Sequence, residues 1–484
     1  MSESLSFLSD QWTRGSGERI SVVSPYDGVE QYQFRANTAE EIELAVQSAA
    51  MALPSWSGQS LEQRTKLLEA YAELIRQHAE SIAQTLSQEV GKPHWEALTE
   101  VNAMVGKVAL SVQAHSQRCA VSTRGNAHTR FKPHGVMAVL GPYNFPCHLP
   151  NGHIVPALLA GNTVVFKPSE FTPRSSAWIP RLLLEAGLPA GAIQLVQGAR
   201  ATGEALVRHQ RIDGLAFTGS VTTGESIARQ VAATPGKIVA LELGGNNPLV
   251  LWDVKDLHAA VLTILQSAFV TAGQRCTCAR RLILSHADAK RLRPELVQRC
   301  ARIRVGAPHD KPEPFCGPVI RPAVARELLA AQEALVRQGA EPWHELRLLR
   351  PDTGLLQPGI LDVTAVPTRE DREFFGPLLQ VIRVDSFEAA LEEANRTQFG
   401  LAAGLLSDDS ECYERFYRDI RAGVVNWNVP LPGASGAAPF GGIARSGNFR
   451  PSGFFAADYC SYPVASMEEP TLQMPETPLP GLWT

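Results

Sequence analysis

Cys276 and Cys278 are two of only eight cysteines in 484 residues, and both lie in Gly273-Gln-Arg-Cys-Thr-Cys-Ala-Arg-Arg281. A thiol in a glycine-containing turn after an apolar helix is open to ligands, and its thiolate is a nucleophile toward carbonyl carbon. The adjacent Arg275, Arg280 and Arg281 would favour the thiolate form. Two small buried apolar residues would give the same letters, because free cysteine is commonly buried. Cysteines 119, 147, 300, 316, 412 and 460 are scattered, and a lone Cys-x-Cys is not a zinc spacing. No metal is expected, and the chemistry would be that of a free thiol.

Further polar residues cluster around short Gly/Pro turns. Glu242-Leu-Gly-Gly245 offers a carboxylate as general base, with glycines for close backbone approach. Gly141-Pro-Tyr-Asn-Phe-Pro146 offers the Asn144 amide as donor to a developing oxyanion. Lys167-Pro-Ser-Glu170 suits phosphate or ribose hydroxyls, and Glu170 would repel a 2′-phosphate. Gly219, Ser220 and Gly224, in Phe217-Thr-Gly-Ser-Val-Thr-Thr-Gly224, open a helix whose N–H groups would face a phosphate. Glu373-Phe-Phe-Gly-Pro377 and Pro439-Phe-Gly-Gly442 add acidic and aromatic side chains. Singly, each is also what an ordinary turn carries.

The elements around these turns explain their placing. Apolar runs at 136–140, 163–167, 193–196, 214–218 and 237–241 alternate with helical stretches at 153–160, 175–186, 203–209 and 224–233. This alternation predicts a parallel sheet covered on both faces, which binds ligands beyond the carboxyl ends of its strands. The polar residues fall there. Before the sheet, Thr38–Glu41 and Ser60–Gln63 are capping-box patterns opening helices, followed by a helix near 95–113. Residues 117–130 read as an exposed hairpin, and 308–318 and 349–359 as loops. A second α/β series starts near Pro248-Leu-Val-Leu-Trp252, with a helix over 257–269 and runs near Val381 and Val424. The last twenty residues, from Ala465, hold four prolines and read as a surface tail.

Composition narrows the class. A net charge of −4 leaves no basic stripe for nucleic acid or membrane lipid, and 44% hydrophobic with 19% charged residues describes a globular chain of two or three domains. No window reaches the ~18–20 apolar residues of a membrane span. The first residues do not form a signal peptide, so a cytoplasmic location is expected.

The order GPYNFP, FKPSE, FTGSVTTG, ELGG, GQRC, EFFGP, PFGG resembles the signature series of the aldehyde dehydrogenase superfamily over residues 20–460. The resemblance implies a variant Rossmann domain for NAD (1–116 and 131–243), an α/β catalytic domain (244–455) and a small β oligomerisation module (117–130 and 456–466), with 467–484 as tail. It implies Cys276 as nucleophile, Cys278 as bystander, Asn144 with the Cys276 N–H as oxyanion donors, and Glu242 as the base that hydrolyses a thioester. Lys167 and Glu170 would hold the adenosine ribose, and Gly219 and Ser220, at the opening of the helix that carries Gly224, would lie by the pyrophosphate. Glu373 and Phe375 would position the nicotinamide end. Because Glu242 is present, hydrolysis rather than acyl transfer to coenzyme A is implied. The runs 148–156, 268–281, 423–428, 447–452 and 456–460 resemble the branch acting on a succinylated, multiply charged semialdehyde of amino-acid breakdown. Glutamate or succinate semialdehyde is the alternative substrate. Arg275, Arg445 and Arg450 are candidates for the substrate carboxylates. A homodimer or homotetramer is implied.

Overall fold

Helix starts are set locally. In the computed structural model, which describes residues 4–474 and 479–482, Thr38 and Glu41 cap each other's backbone N–H groups, and Ser60 and Gln63 do the same. Ala39–Ser57 and Leu61–Gln77 therefore begin where the sequence pattern placed them. Each buries one stripe, Ile42, Ala45, Val46 and Ala49 on the first and Leu68, Tyr71 and Ile75 on the second. The following long helix runs over His94–Arg118, beyond the expected 95–113.

Seven strands form the first sheet. Its parallel part runs in the order Ile238–Glu242, Gly214–Thr218, Val136–Leu140, Thr163–Lys167, Ile193–Leu195, and antiparallel Ser6–Leu8 and Gln11–Thr13 extend the edge. All five residues of Val136–Leu140, Thr163–Lys167 and Gly214–Thr218 are buried, as expected for strands covered on both faces. The chain first builds outward from Val136–Leu140 in one direction, then returns to its other side with Gly214–Thr218. That reversal opens a crevice at the carboxyl ends of the two neighbouring strands.

The second sheet also has seven strands, in the order Glu341–His344, Gly359–Asp362, Leu378–Val384, Arg281–Ser285, Pro248–Leu251, Ala402–Leu406, Val424–Trp427. Only Glu341–His344 is antiparallel to its neighbour. Here 349–359 departs from the loop expectation, because Leu356–Gln357 and the start of Gly359–Asp362 are strand. Buried Leu356, Ile360 and Leu361 give the reason, since a packed apolar run survives its flanking glycines.

A third, small sheet joins Ser122–Arg124, Ala127–Pro133 and Ser461–Met467. Its central strand continues to Pro133, three residues past the expected hairpin, and the last strand carries regular pairing to Met467, into the segment read as tail. Of that tail, 475–478 and 483–484 lie outside the described residues. Among the described residues no helix is long and apolar enough to cross a membrane.

The 447–452 segment is tied to the edge strand of the first sheet. Asn448 accepts from the Leu241 N–H and donates to the Val239 carbonyl, pinning the 447–452 segment along Ile238–Glu242. Leu243 N–H donates to the Ser446 carbonyl beside it.

Candidate functional site

The crevice is a cavity of about 690 Å³, and strand ends of the first sheet line it in turn. Val136–Leu140 delivers Gly141–Asn144, Thr163–Lys167 delivers Lys167, Ser169 and Glu170, and Gly214–Thr218 delivers Gly219 and Ser220. Ile238–Glu242 ends in Glu242 itself. Cys276, Glu373 and Phe375 close the cavity from the second unit. Nine of the thirteen expected site residues meet on this wall: Cys276, Glu242, Asn144, Lys167, Glu170, Gly219, Ser220, Glu373 and Phe375.

Four do not. Gly224 faces Leu243, whose side chain a Cβ would meet at 2.4 Å, so this glycine lets the helix Val221–Val231 seat against the strand end. Arg445 pairs with Glu225 at 2.8 Å, and Arg450 is exposed, with Nη1 donating to the Phe449 carbonyl. Arg275 turns from the cavity to Glu96 at 3.0 Å. Three isolated arginines in a sequence carry no sign of their partners, and here carboxylates or carbonyls distant in sequence or exposed to solvent take them.

Cys276 follows a tightly held turn. Gln274 Nε2 donates to the Thr271 and Pro318 carbonyls, each at 3.2 Å, and its Oε1 accepts from Ile320 N–H at 2.9 Å. Asn247 donates to the carbonyls of Cys276 and Cys278 at 2.7 and 2.9 Å. Arg280 donates to the Gly273 and Arg275 carbonyls at 2.6 and 2.9 Å and to Glu373 at 3.4 Å. Gly273 is left-handed at φ 71°, and a Cβ there would lie 2.1 Å from the Gly376 carbonyl oxygen, so no side chain fits. Cys278 is buried with Sγ 3.7 Å from the Val270 carbonyl, away from the cavity.

The three arginines do not ionise the thiol. Arg281 is consumed by the carbonyls of Asn246, Glu393 and Ala394, and Arg275 by Glu96. Burial, aided by the negative charges of Glu373 and Glu242, outweighs Arg280 and pushes the Cys276 thiol up to about 12. The shift thus runs opposite to the effect the neighbouring arginines would have by charge alone.

Glu242 has the character of a general base for water. It is 4% exposed, its Oε1 accepts from Ser452 N–H at 3.1 Å, and its Oε2 is buried without a partner. Burial raises its carboxyl well above the usual range, which brings it toward the pH where it both takes and releases protons. Asn144 is 5% exposed, and its Nδ2 donates one hydrogen to the Gln274 carbonyl at 2.8 Å, two residues before Cys276. The second amide hydrogen remains for an oxygen on the carbon that the Cys276 sulfur attacks.

The far end suits a nucleotide. Burial lowers the Lys167 ammonium to about 8, against the opposing effect of Glu170, while it donates to the Pro168 carbonyl at 2.5 Å. Ser220 caps Val221–Val231 by accepting from Thr223 N–H, leaving the positive helix start at the cavity. Glu373, also raised by burial, reaches into the space left by Gly244, where a Cβ would lie 1.8 Å from its Oε2. Phe375 packs edge-on to Tyr143 with ring centroids 6.2 Å apart.

Several lining residues escaped sequence reasoning. Thr222, Ser226 and Arg229 lie on the cavity face of Val221–Val231 at helical spacing, a signal present in the letters. Asn247 and Ser452, which contact Cys276 and Glu242 rather than line the cavity, had no such signal, since their partners are distant in the chain.

Comparison with known proteins places this geometry. The model of the aldehyde dehydrogenase family matches residues 12–462. The N-succinylglutamate 5-semialdehyde dehydrogenase of Pseudomonas fluorescens (strain Pf0-1) is 50% identical over 481 residues, covering 98% of this chain and 99% of that protein. Among solved structures, an NADP-dependent glyceraldehyde-3-phosphate dehydrogenase from Bacillus halodurans complexed with NADP superposes with a TM-score of 0.89 at 29% identity, covering 96% of this chain and 99% of that one. A betaine aldehyde dehydrogenase from Staphylococcus aureus in complex with NAD+ gives 0.88 at 26% identity, with 97% and 96% covered.

Proposed function

The chain belongs to the aldehyde dehydrogenase family, and from that premise we propose that it oxidises N-succinyl-L-glutamate 5-semialdehyde to N-succinyl-L-glutamate with NAD, a reaction of arginine breakdown. The observation that carries the chemistry is the meeting of Cys276, Glu242 and Asn144 on one cavity wall. The 50% identity over nearly the full length of a relative with that substrate in its name supports the substrate. All eight cysteines are free, which suits a reducing cytoplasm.

The residues of the cavity fit a dinucleotide. A capped helix start suits a pyrophosphate, Lys167 and Glu170 suit ribose hydroxyls, and Glu373 and Phe375 lie on the wall shared with Cys276. When bound, the cofactor supplies the hydride acceptor. The chain's own residues do the rest. Cys276 gives up its proton to solvent and its sulfur attacks the aldehyde carbon, and Asn144 donates to the oxyanion so formed. Loss of hydride from that thiohemiacetal leaves a thioester on Cys276. Glu242 takes a proton from water as it attacks the thioester, releasing the acid and the thiol.

The test is NADH formation from N-succinylglutamate 5-semialdehyde beside glutamate and succinate semialdehydes at equal concentration. Preference for the succinylated aldehyde by tenfold or more, about 1.4 kcal/mol of discrimination, is the expected result. Equal rates with all three would remove this substrate and leave the thiol chemistry. Glu170→Ser should raise kcat/KM with NADP by about tenfold or more while that with NAD falls, since a carboxylate repels a 2′-phosphate. An unchanged NADP/NAD ratio would take Glu170 out of cofactor selection.

Exposed Val121, Tyr462 and Met467 on or beside the small third sheet support its use as a contact in a homodimer or homotetramer. Analytical ultracentrifugation reads this directly, and a monomer at micromolar concentration would remove it.

A further inference from the structure

The backbone just before the nucleophile is strained. Thr271, Ala272 and Gly273 are all left-handed, at φ 59°, 52° and 71°. A β-branched residue and an alanine adopt this conformation only where surrounding contacts over-determine it. Gln274 and Arg280 hold the turn from one side, as described above.

From the other side comes Glu96, in the first turn of His94–Arg118 and fully buried. Its Oε1 accepts from the Thr271 hydroxyl and from Arg275 Nη2 at 3.0 Å. Arg275 Nε in turn donates to Thr271 Oγ1 at 2.7 Å. The three side chains close a triangle around the left-handed segment. The Arg275 guanidinium also lies over the Phe145 ring, 4.9 Å from its centroid, and Phe145 directly follows Asn144. One buried carboxylate thus ties the thiol turn to the segment that carries the oxyanion amide. A guanidinium already paired with a buried carboxylate is a poor receptor for a second anion, because separating the pair would strand the Glu96 charge.

We propose that Glu96 is a positioning residue for the nucleophile: through Thr271 and Arg275 it holds the left-handed turn that aims Cys276 at the aldehyde carbon, and Arg275 serves that turn rather than a substrate carboxylate. This rests on Cys276 being the nucleophile. Cys276→Ala tests that premise separately, since its failure would leave an active enzyme with no thiol at that position.

The experiment compares Glu96→Gln, Thr271→Val, Thr271→Ser and Arg275→Met with wild type. Four quantities are read: kcat and KM for the aldehyde, the rate of iodoacetamide alkylation at Cys276 by peptide mass spectrometry, NAD affinity by fluorescence titration, and Tm. Thr271→Val keeps the shape and removes the hydroxyl, so kcat and the Cys276 alkylation rate should both change by tenfold or more with NAD affinity within about twofold. Thr271→Ser restores the hydroxyl and should stay within about threefold of wild type in both. Arg275→Met should follow Thr271→Val. If Glu96→Gln does not fold, the Val/Ser pair carries the test. Wild-type kcat and alkylation in Thr271→Val would overturn the proposal, as would loss of NAD affinity in parallel with activity. A raised KM for the acidic aldehyde in Arg275→Met, with alkylation unchanged, would return Arg275 to the substrate and overturn it too.

Discussion

Cys276→Ala is expected to abolish aldehyde-dependent NADH formation, lowering kcat/KM by about 10⁴-fold or more, roughly 5.4 kcal/mol of transition-state stabilisation. No other thiol stands in a position to substitute. Cys278 is buried against the Val270 carbonyl, and of the other cysteines only Cys412 is even partly exposed, on the distant helix Ser410–Asp419. Cys278→Ser should therefore remain within about threefold of wild type. The same thiol sets a pH dependence. Because burial and the neighbouring carboxylates push Cys276 up to about 12, the thiolate fraction in the free enzyme grows throughout the range from pH 6 to 9. The rate of Cys276 alkylation should rise over that range without a plateau. A plateau by pH 7 would mean a thiol already ionised, and more than about 1% of wild-type activity in the alanine variant would move the nucleophile elsewhere.

Glu242→Gln is expected to separate the two halves of the reaction. With the base gone, thioester hydrolysis slows by about 10²–10⁴-fold, while thiol attack and oxidation still proceed. Rapid mixing should show one NADH per active site in a burst, followed by a slow steady state, and mass spectrometry should find an acyl group on the Cys276 peptide. The unpartnered Glu242 Oε2 and its burial are the reason to expect so large an effect, since no second carboxylate on the wall has an unpaired buried oxygen of this kind among the described residues. The sign of the pH effect follows from the raised carboxyl. Below its pKa Glu242 is protonated and idle as a base, and above it the carboxylate is restored, so wild-type kcat should climb on the acid side. The glutamine variant should lose that limb. A slow phase without a burst would show instead that Glu242 acts earlier, by taking the Cys276 proton.

The sequence by itself determined the helix caps, the strands and their alternation with helices, because caps and hydrophobic periods are local. Thr38, Ser60 and the buried run Val136–Leu140 stand where their letters put them. It also determined that the polar turns would gather, since a parallel sheet puts every strand's carboxyl end on one rim. Asn144, Lys167, Glu170, Gly219, Ser220 and Glu242 share one cavity for that reason, and Cys276, Glu373 and Phe375 meet them from the second unit.

What only the tertiary structure decided is how charged side chains are spent. Arg275, Arg280 and Arg281 are adjacent in sequence yet go to a buried carboxylate, to the turn carbonyls with Glu373, and to the carbonyls of Asn246, Glu393 and Ala394. Their nearness to Cys276 in the chain would favour its thiolate, while burial and two carboxylates from other elements shift the thiol the other way. The same holds for Gly224, read as a phosphate contact and found packed on Leu243. Local patterns report which backbone forms. The field at a buried atom sums over groups from every element packed around it, and those distances exist only once the chain has folded.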